Sequence, residues 1–356
     1  MKNYSDRDLN AILAYFSVAE KEYTFNPLTD GYINDTFLVF EDSAPRYILQ
    51  RVNHKVFKNI SGVMNNINHA LRNLTAPDYS KINLVETKAG KEYLELHSDS
   101  SDYWRMMTYI DESTAHNTTS DPKIAFEAGR IIGKFHLLLE NEDAENYVDT
   151  IPRFHDLELR KQQFETALTT AATKKKEVAK SAIDFTHEIL SVLEKINPSA
   201  QPVRICHNDT KLNNILFSRE TGKALCLIDL DTLMTGRFLF DFGDAVRTIV
   251  NTAPEDEKDH SKITFEKELF EAFVDGLAVN KSMFSKKETE TMPWGAVLMP
   301  FLHGIRALTD YLNGNIYYKV AYENQNLDRC LSLFDFTRKT LDEMEYMEEV
   351  VRGKLG

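Results

Sequence analysis

The chain has 356 residues, 42% hydrophobic and 27% charged, a balance expected of a soluble globular protein long enough for one large domain or two packed lobes. Its formal net charge of −13 argues against nucleic acid or an anionic membrane as the main partner; ATP is not excluded, because it needs only a local positive site. The opening M-K-N-Y-S-D-R-D-L-N has no apolar signal core, no run approaches the ~20 apolar residues of a membrane span, and three cysteines without C-x-x-C spacing read as reduced thiols, so a cytoplasmic protein is expected.

Residues 6–20 read as an amphipathic helix with Leu9, Ile12, Leu13 and Phe16 on one face. Residues 23–40 read as strand, turn and strand, the turn carrying Gly31 and Asn34, and R-Y-I-L-Q-R-V at 46–52 alternates as a strand should. A helix is expected over 56–74, two strands over 82–86 and 92–96 around Ala89-Gly90, and a strongly apolar strand over 103–110. From Asp121 onward helices dominate. Pro122 sits in a first turn, and Gly129 and Gly133 share a helix face and permit close packing. Residues 154–196 read as helical, with Lys174, Lys175 and Lys176 as a solvated turn, and 253–261 as an acidic linker. On the mostly apolar helix over 293–312, His303, Arg306 and Asp310 fall three and four apart. That stripe is either the solvent face of a half-buried helix or the wall of a pocket into which Tyr317 reaches.

The richest chemistry lies between residues 206 and 231. C-H-N-D-T-K-L-N-N-I-L-F is followed by a turn and by A-L-C-L-I-D-L-D, so a polar loop sits between two strand-like runs. A polar hairpin loop would also contain Asn, Asp and Lys, but the ordered set H-x-D, then Asn, then a strand ending in Asp, is what phosphoryl transfer requires. One carboxylate, Asp209, would orient the acceptor hydroxyl and take its proton. Asn214 and Asp229, with Asp231 as a further candidate, would supply oxygen ligands to Mg²⁺, and Lys211 would offset charge at the γ-phosphate. His207 would hold the loop's shape.

Asp241-Phe242-Gly243 spells a kinase metal motif literally. Asp229, however, lies 15 residues past Asn214 at the end of a short strand, whereas Asp241 lies 27 past it after an extra turn. Spacing favours Asp229 as the metal aspartate and leaves Asp241 and Asp244 as helix-start or loop-bracing carboxylates.

H-N-D-T-K-L-N-N-I-L-F, L-I-D-L-D-T and D-F-G-D-A-V-R resemble the aminoglycoside phosphotransferase and choline kinase-like superfamily, and within it the N-acetylhexosamine 1-kinases, over nearly the whole chain. The resemblance implies an α+β, two-lobed protein-kinase-like fold: a strand-rich nucleotide-binding lobe at 1–110 and a helical catalytic and substrate-binding lobe at 111–356. It places Gly31 and Asn34 over nucleotide or sugar, and puts backbone groups near Tyr109 and Ile110 against adenine. It favours the pocket reading of Arg306, Asp310 and Tyr317. One departure stands out: where such kinases carry a phosphate-binding lysine on the third strand, this chain has Gln50 or Arg51.

The expected activity is ATP- and Mg²⁺-dependent phosphorylation of the anomeric hydroxyl of an N-acetylhexosamine, with Asp209 also touching the sugar. The rivals are another hydroxyl acceptor (an aminoglycoside, choline or homoserine) and a non-catalytic nucleotide-binding regulator, for which the absent lysine is the best support. The expected partners are ATP and a small-molecule sugar, with no nucleic acid and no membrane.

Overall fold

The computed structural model describes residues 4–28, 33–97, 101–194, 196 and 201–356. Ser5 opens α1 (Asp6–Leu13) with a capping box to Asp8, and Leu9, Ile12 and Leu13 are buried. The helix is shorter than expected: Phe16 leaves it, still fully buried, to bridge Thr87. An antiparallel sheet follows, in the order β1 (Thr24–Leu28), β2 (Asp35–Glu41), β3 (Ala44–Val52), β5 (Ser101–Thr108) and β4 (Leu94–His97). Of the two strands expected over 82–96, only the second forms. The first is a connection that touches the sheet by one bridge, Leu84 to Met107.

The register of this sheet decides what enters the cleft. Leu49 pairs with Met106 and Gln50 with Arg105. Leu49, Met106 and Trp104 pack with Leu9, Leu13 and Phe37 on the α1 side. Because strand side chains alternate between faces, Gln50 and Arg105 point to the opposite face.

Between β3 and β4, α2 (Ile60–Asn73) packs into the larger, C-terminal core. After β6 (Ser113–Thr114) comes α3 (Pro122–Leu138), N-capped by Asp121 with Pro122 in its first turn. Then follow α4 (Leu157–Thr170), α5 (Thr173–Val178) and α6 (Lys180–Leu193). The lysine run therefore forms a short helix, and Lys175 donates to the Tyr311 carbonyl at 2.7 Å.

β7 (Arg204–Cys206), β8 (Ile215–Ser218), β9 (Ala224–Leu227) and β10 (Met234–Gly236) form two small sheets, β10 with β7 and β6-β8-β9. Helices α7 (Phe238–Ile249), α8 (Lys267–Ala278), α9 (Lys286–Thr291), α10 (Pro293–Leu312), α11 (Gln325–Asp342) and α12 (Met344–Leu355) complete the chain. α3 lies against α8 so closely that a Cβ at Gly129 would come within 2.0 Å of the Phe273 carbonyl oxygen, which is why a glycine sits there. The three cysteines are free and buried. No helix among the described residues is long and apolar enough to cross a membrane.

The result is a strand-rich N-terminal part on a helical C-terminal part. The 207–214 loop and Asp229 lie on the connections between small strands that face the cleft.

Candidate active site

The β7–β8 connection holds its shape through buried polar contacts. Asn208 adopts a left-handed backbone, φ 62°, and its side-chain amide donates to the Cys206 and Thr232 carbonyls. His207 is fully buried; its Nε2 donates to the Ile228 carbonyl at 2.8 Å and its Nδ1 accepts from the Asp209 amide at 3.3 Å. It ties the loop to the strand end that carries Asp229, the shaping role expected of it. Asp209 Oδ2 accepts from Lys211 Nζ and from Asn214 Nδ2, each at 2.8 Å. Its Oδ1 has no partner among the described residues and is the atom available to an incoming hydroxyl. Burial works against the Lys211 charge, but Asp209 and Asp229 outweigh it and hold the ammonium up at about 12.

Asp229 follows β9 in a left-handed conformation, φ 60° and ψ 55°. Its carboxylate opens to the cleft and meets no donor among the described residues. The surrounding protein, then Asp231 and Asp209, push it up to about 6. The Asn214 amide donates to Asp209, which turns its carbonyl oxygen outward. An unpartnered carboxylate and a free amide oxygen are hard donors of the kind Mg²⁺ selects. The residues therefore fit a divalent ion: Asp229 and Asn214 would hold it, and it would supply positive charge to offset that on a transferred phosphoryl group.

Asp231 is placed differently. It is buried; Oδ1 forms an ion pair with Arg105 and Oδ2 accepts from Asn34 Nδ2 at 2.6 Å. With both oxygens engaged, it joins the two halves of the cleft, which leaves Asn214 and Asp229 as the candidate ligands. Asn34 reaches the cleft, where its amide is taken up by Asp231 and by the Asn53 N–H; Gly31 lies outside the described residues.

On the nucleotide side the two strand candidates separate. Arg51 lies on the α1 face, paired with Asp35 and Asp102, and does not enter the cleft. Gln50 does, but as a clamp: its Oε1 accepts from Arg105 Nε at 2.9 Å and Nη2 at 2.8 Å. The Tyr109 N–H is used by the Arg46 carbonyl, which leaves the Tyr109 carbonyl and the Ile110 N–H as the backbone groups open in the stretch expected to meet adenine.

On the acceptor side, Arg306 stacks on Phe154 at 5.3 Å, and Phe154 packs on His155, whose Nε2 donates to the Asn208 carbonyl. Burial and Arg306 pull Arg160 down to about 10, with Tyr318 and Tyr317 also near. Arg306 and Tyr317 thus both lie in the neighbourhood of Arg160. Asp310 departs from its expected role as a pocket acceptor: its oxygens accept the backbone N–H groups of Ile316, Tyr317 and Tyr318 and the Asn326 amide. It shapes the loop that carries Tyr317 and has little left to offer a ligand. His303 contacts Asp244 at 3.3 Å, and burial holds it down at about 4.

The literal D-F-G sequence is structural. Asp241 is fully buried in the first turn of α7 and accepts the His207 and Asn208 amides and His136 Nε2. A Cβ at Gly243 would come within 1.9 Å of the Gly295 carbonyl oxygen, so this glycine permits α7 to cross α10. Two residues of the site were not foreseen. Arg105 lay in an apolar strand, and Glu255 lay in what reads as an acidic linker. Glu255 pairs with Arg247 and Arg329, which hold it down at about 2 against burial, and Arg247 pairs in turn with Asp244.

The chain matches the family described as "Phosphotransferase enzyme family" over residues 24–271. Among solved structures it is similar to a microcompartment-associated aminopropanol kinase, at 16% identity over 96% of this chain and 98% of that one, TM-score 0.62. It is also similar to choline kinase from Cryptosporidium parvum Iowa II, at 13% identity over 99% of each chain, TM-score 0.58. An aminoglycoside phosphotransferase from Alicyclobacillus acidocaldarius matches at 14% identity over 99% of this chain and 98% of that one, TM-score 0.62. At these identities the likeness establishes the kinase-like fold, and the family match spans well over half of the chain. The chain belongs to the phosphotransferase enzyme family.

Proposed function

We propose that this protein transfers the γ-phosphoryl group of MgATP to the anomeric hydroxyl of an N-acetylhexosamine, giving the sugar 1-phosphate. Asp209 Oδ1 accepts the hydroxyl proton, Lys211 pairs with Asp209 and faces the transferred group, and Asn214 and Asp229 hold the metal. Catalysis in such a site is mostly positioning and charge neutralisation.

The observation that carries the choice of acceptor is the charge balance beside Asp209. Apart from the metal candidate Asp229, the nearby carboxylates carry partners: Asp244 Oδ1 with Arg247, Glu255 with Arg247 and Arg329, and Asp310 with backbone amides. Arg160 and Arg306, by contrast, meet no carboxylate among the described residues, and the buried Nε of Arg160 has no partner at all. A cationic acceptor would find guanidinium groups without an ion-pair partner, and beyond the base the carboxylate oxygens left open there among the described residues are those of the metal candidate Asp229 and the buried Asp244 Oδ2. A neutral, hydroxyl-rich acceptor with an amide carbonyl supplies the acceptor atoms those groups lack. The exposed Tyr317 ring can lie on an apolar sugar face. The acetamido group and the anomeric position rest on the motif resemblance.

The test is turnover with MgATP across N-acetylglucosamine, N-acetylgalactosamine, choline, homoserine and an aminoglycoside, with phosphorus–proton coupling read on the product. Brisk turnover of an N-acetylhexosamine to the 1-phosphate is expected. A 6-phosphate, or turnover of only the amines, overturns the reading and leaves the kinase assignment intact.

A further inference from the structure

The third strand lacks the lysine that kinase-like enzymes use to anchor the α- and β-phosphates. We infer that Arg105, on the neighbouring strand β5, supplies that anchor, that Gln50 aims it, and that Asp231 holds it while nucleotide is absent. Gln50 and Arg105 are directly paired in register and share the cleft-facing side of the sheet. The Gln50 amide oxygen fixes two N–H groups of the guanidinium, and the third contact is Asp231. Arg105 is 2% exposed, so this charge is built into the cleft floor and is not a surface residue that drifts in. Its ion-pair partner Asp231 is two residues past the metal candidate Asp229 in the chain. A cation on that side of the cleft would meet phosphates of a nucleotide whose metal Asp229 held.

Arg51 is on the other face and doubly paired, and Arg46, at the start of the strand, is exposed and pairs with Glu41. The strand position that would carry the lysine is thus filled by a neutral amide whose work is to orient a cation one strand over. A guanidinium can also grip two phosphate oxygens at once, which an ammonium does less well. Phosphate oxygens would take the place of Asp231 Oδ1 on the guanidinium, an exchange of one anion for another at Arg105, while Asp231 keeps its contact with Asn34.

Titration calorimetry with MgADP and with adenosine tests the inference, and rests only on nucleotide binding by the wild type; if the wild type binds neither, the family-level reading fails instead. Arg105→Gln should weaken MgADP by roughly 10- to 100-fold, the loss of a charge-assisted contact, and leave adenosine within about twofold. Arg105→Gln strands Asp231, so Arg105→Gln with Asp231→Asn is measured beside it and should show the same loss. Arg105→Gln with Gln50→Lys, which moves the cation to the usual strand, should recover part of it. Asp231→Asn alone should bind MgADP at least as tightly as the wild type. Wild-type MgADP affinity in the folded double variant, or equal loss of adenosine, overturns the anchor. Weakened MgADP binding in Asp231→Asn overturns the holding role of Asp231.

Discussion

Asp241 Oδ2 lies 2.8 Å from the backbone nitrogen of His207, and Oδ1 lies 2.7 Å from that of Asn208, so one buried carboxylate sets the path of the catalytic loop. Asp241→Ala strands two buried N–H groups and the His136 contact, a loss of about 3–5 kcal/mol. Chemical denaturation should show that drop, and the protein that stays folded should keep a normal activity response to Mg²⁺. Asp229→Asn should behave oppositely, with near-normal stability and a much higher Mg²⁺ requirement. If the Asp241 variant alone loses its metal response, the two roles are exchanged.

Asp209→Asn should lose roughly 10²–10⁴-fold in turnover, the usual cost of removing a positioned general base, while still binding ATP. The amide can keep the contacts at one oxygen with Lys211 and Asn214, so the fold should be little changed. Turnover within a few-fold of wild type would remove Asp209 from the mechanism.

Arg306→Ala should raise the acceptor KM at least tenfold and leave ATP affinity unchanged, since the guanidinium sits with Phe154, away from the strands. Asp310→Ala should also raise the acceptor KM, but with a loss of stability, because three loop amides lose their acceptor. Equal, purely kinetic effects at both positions would mean that Asp310 contacts the ligand directly.

His155 and His303 are both held down at about 4, mainly by burial, so in the folded protein they stay neutral. The unfolded chain takes up protons on them near pH 6.5, so stability is full above that pH and falls as pH drops from 6.5 towards 4. Each histidine contributes up to about 3 kcal/mol to that loss. Glu255 acts in a separate, lower window, between its ordinary value and about 2. Urea midpoints at pH 7, 5.5 and 4.5 should therefore fall more steeply in the wild type than in His303→Gln. An unchanged slope would show that His303 takes up its proton without disturbing the fold.

The loop from His207 to Asn214 was legible because its chemistry is local: acid, cation and amide lie within a few residues of one another. The bracing role of Asp241 was legible from spacing alone. Arg105 was not, since its partners are Gln50, 55 residues away, and Asp231, 126 residues away. Only the strand register brings them together, and no periodicity reveals register. Asp310 misled for a related reason. Its place on the helix stripe was right, but a carboxylate at a helix end is also what a returning loop uses to satisfy its amides. Glu255 looked like solvated charge because its two arginines come from α7 and α11.

The left-handed backbone at Asn208 and Asp229 decides which substitutions there can be interpreted. Such a conformation costs most residues roughly 1–2 kcal/mol, and short polar side chains tolerate it best. Alanine at position 229 removes a carboxylate and also pulls the backbone away from the angle that aims it, displacing the neighbouring Asp231 and its cross-cleft contacts. Asparagine at 229 keeps the bend and deletes only the charge; glycine keeps the bend and deletes the whole side chain. A loss of function measured in an alanine variant at either position would mix chemistry with geometry, and asparagine or glycine at 229, or aspartate or glycine at 208, separates them.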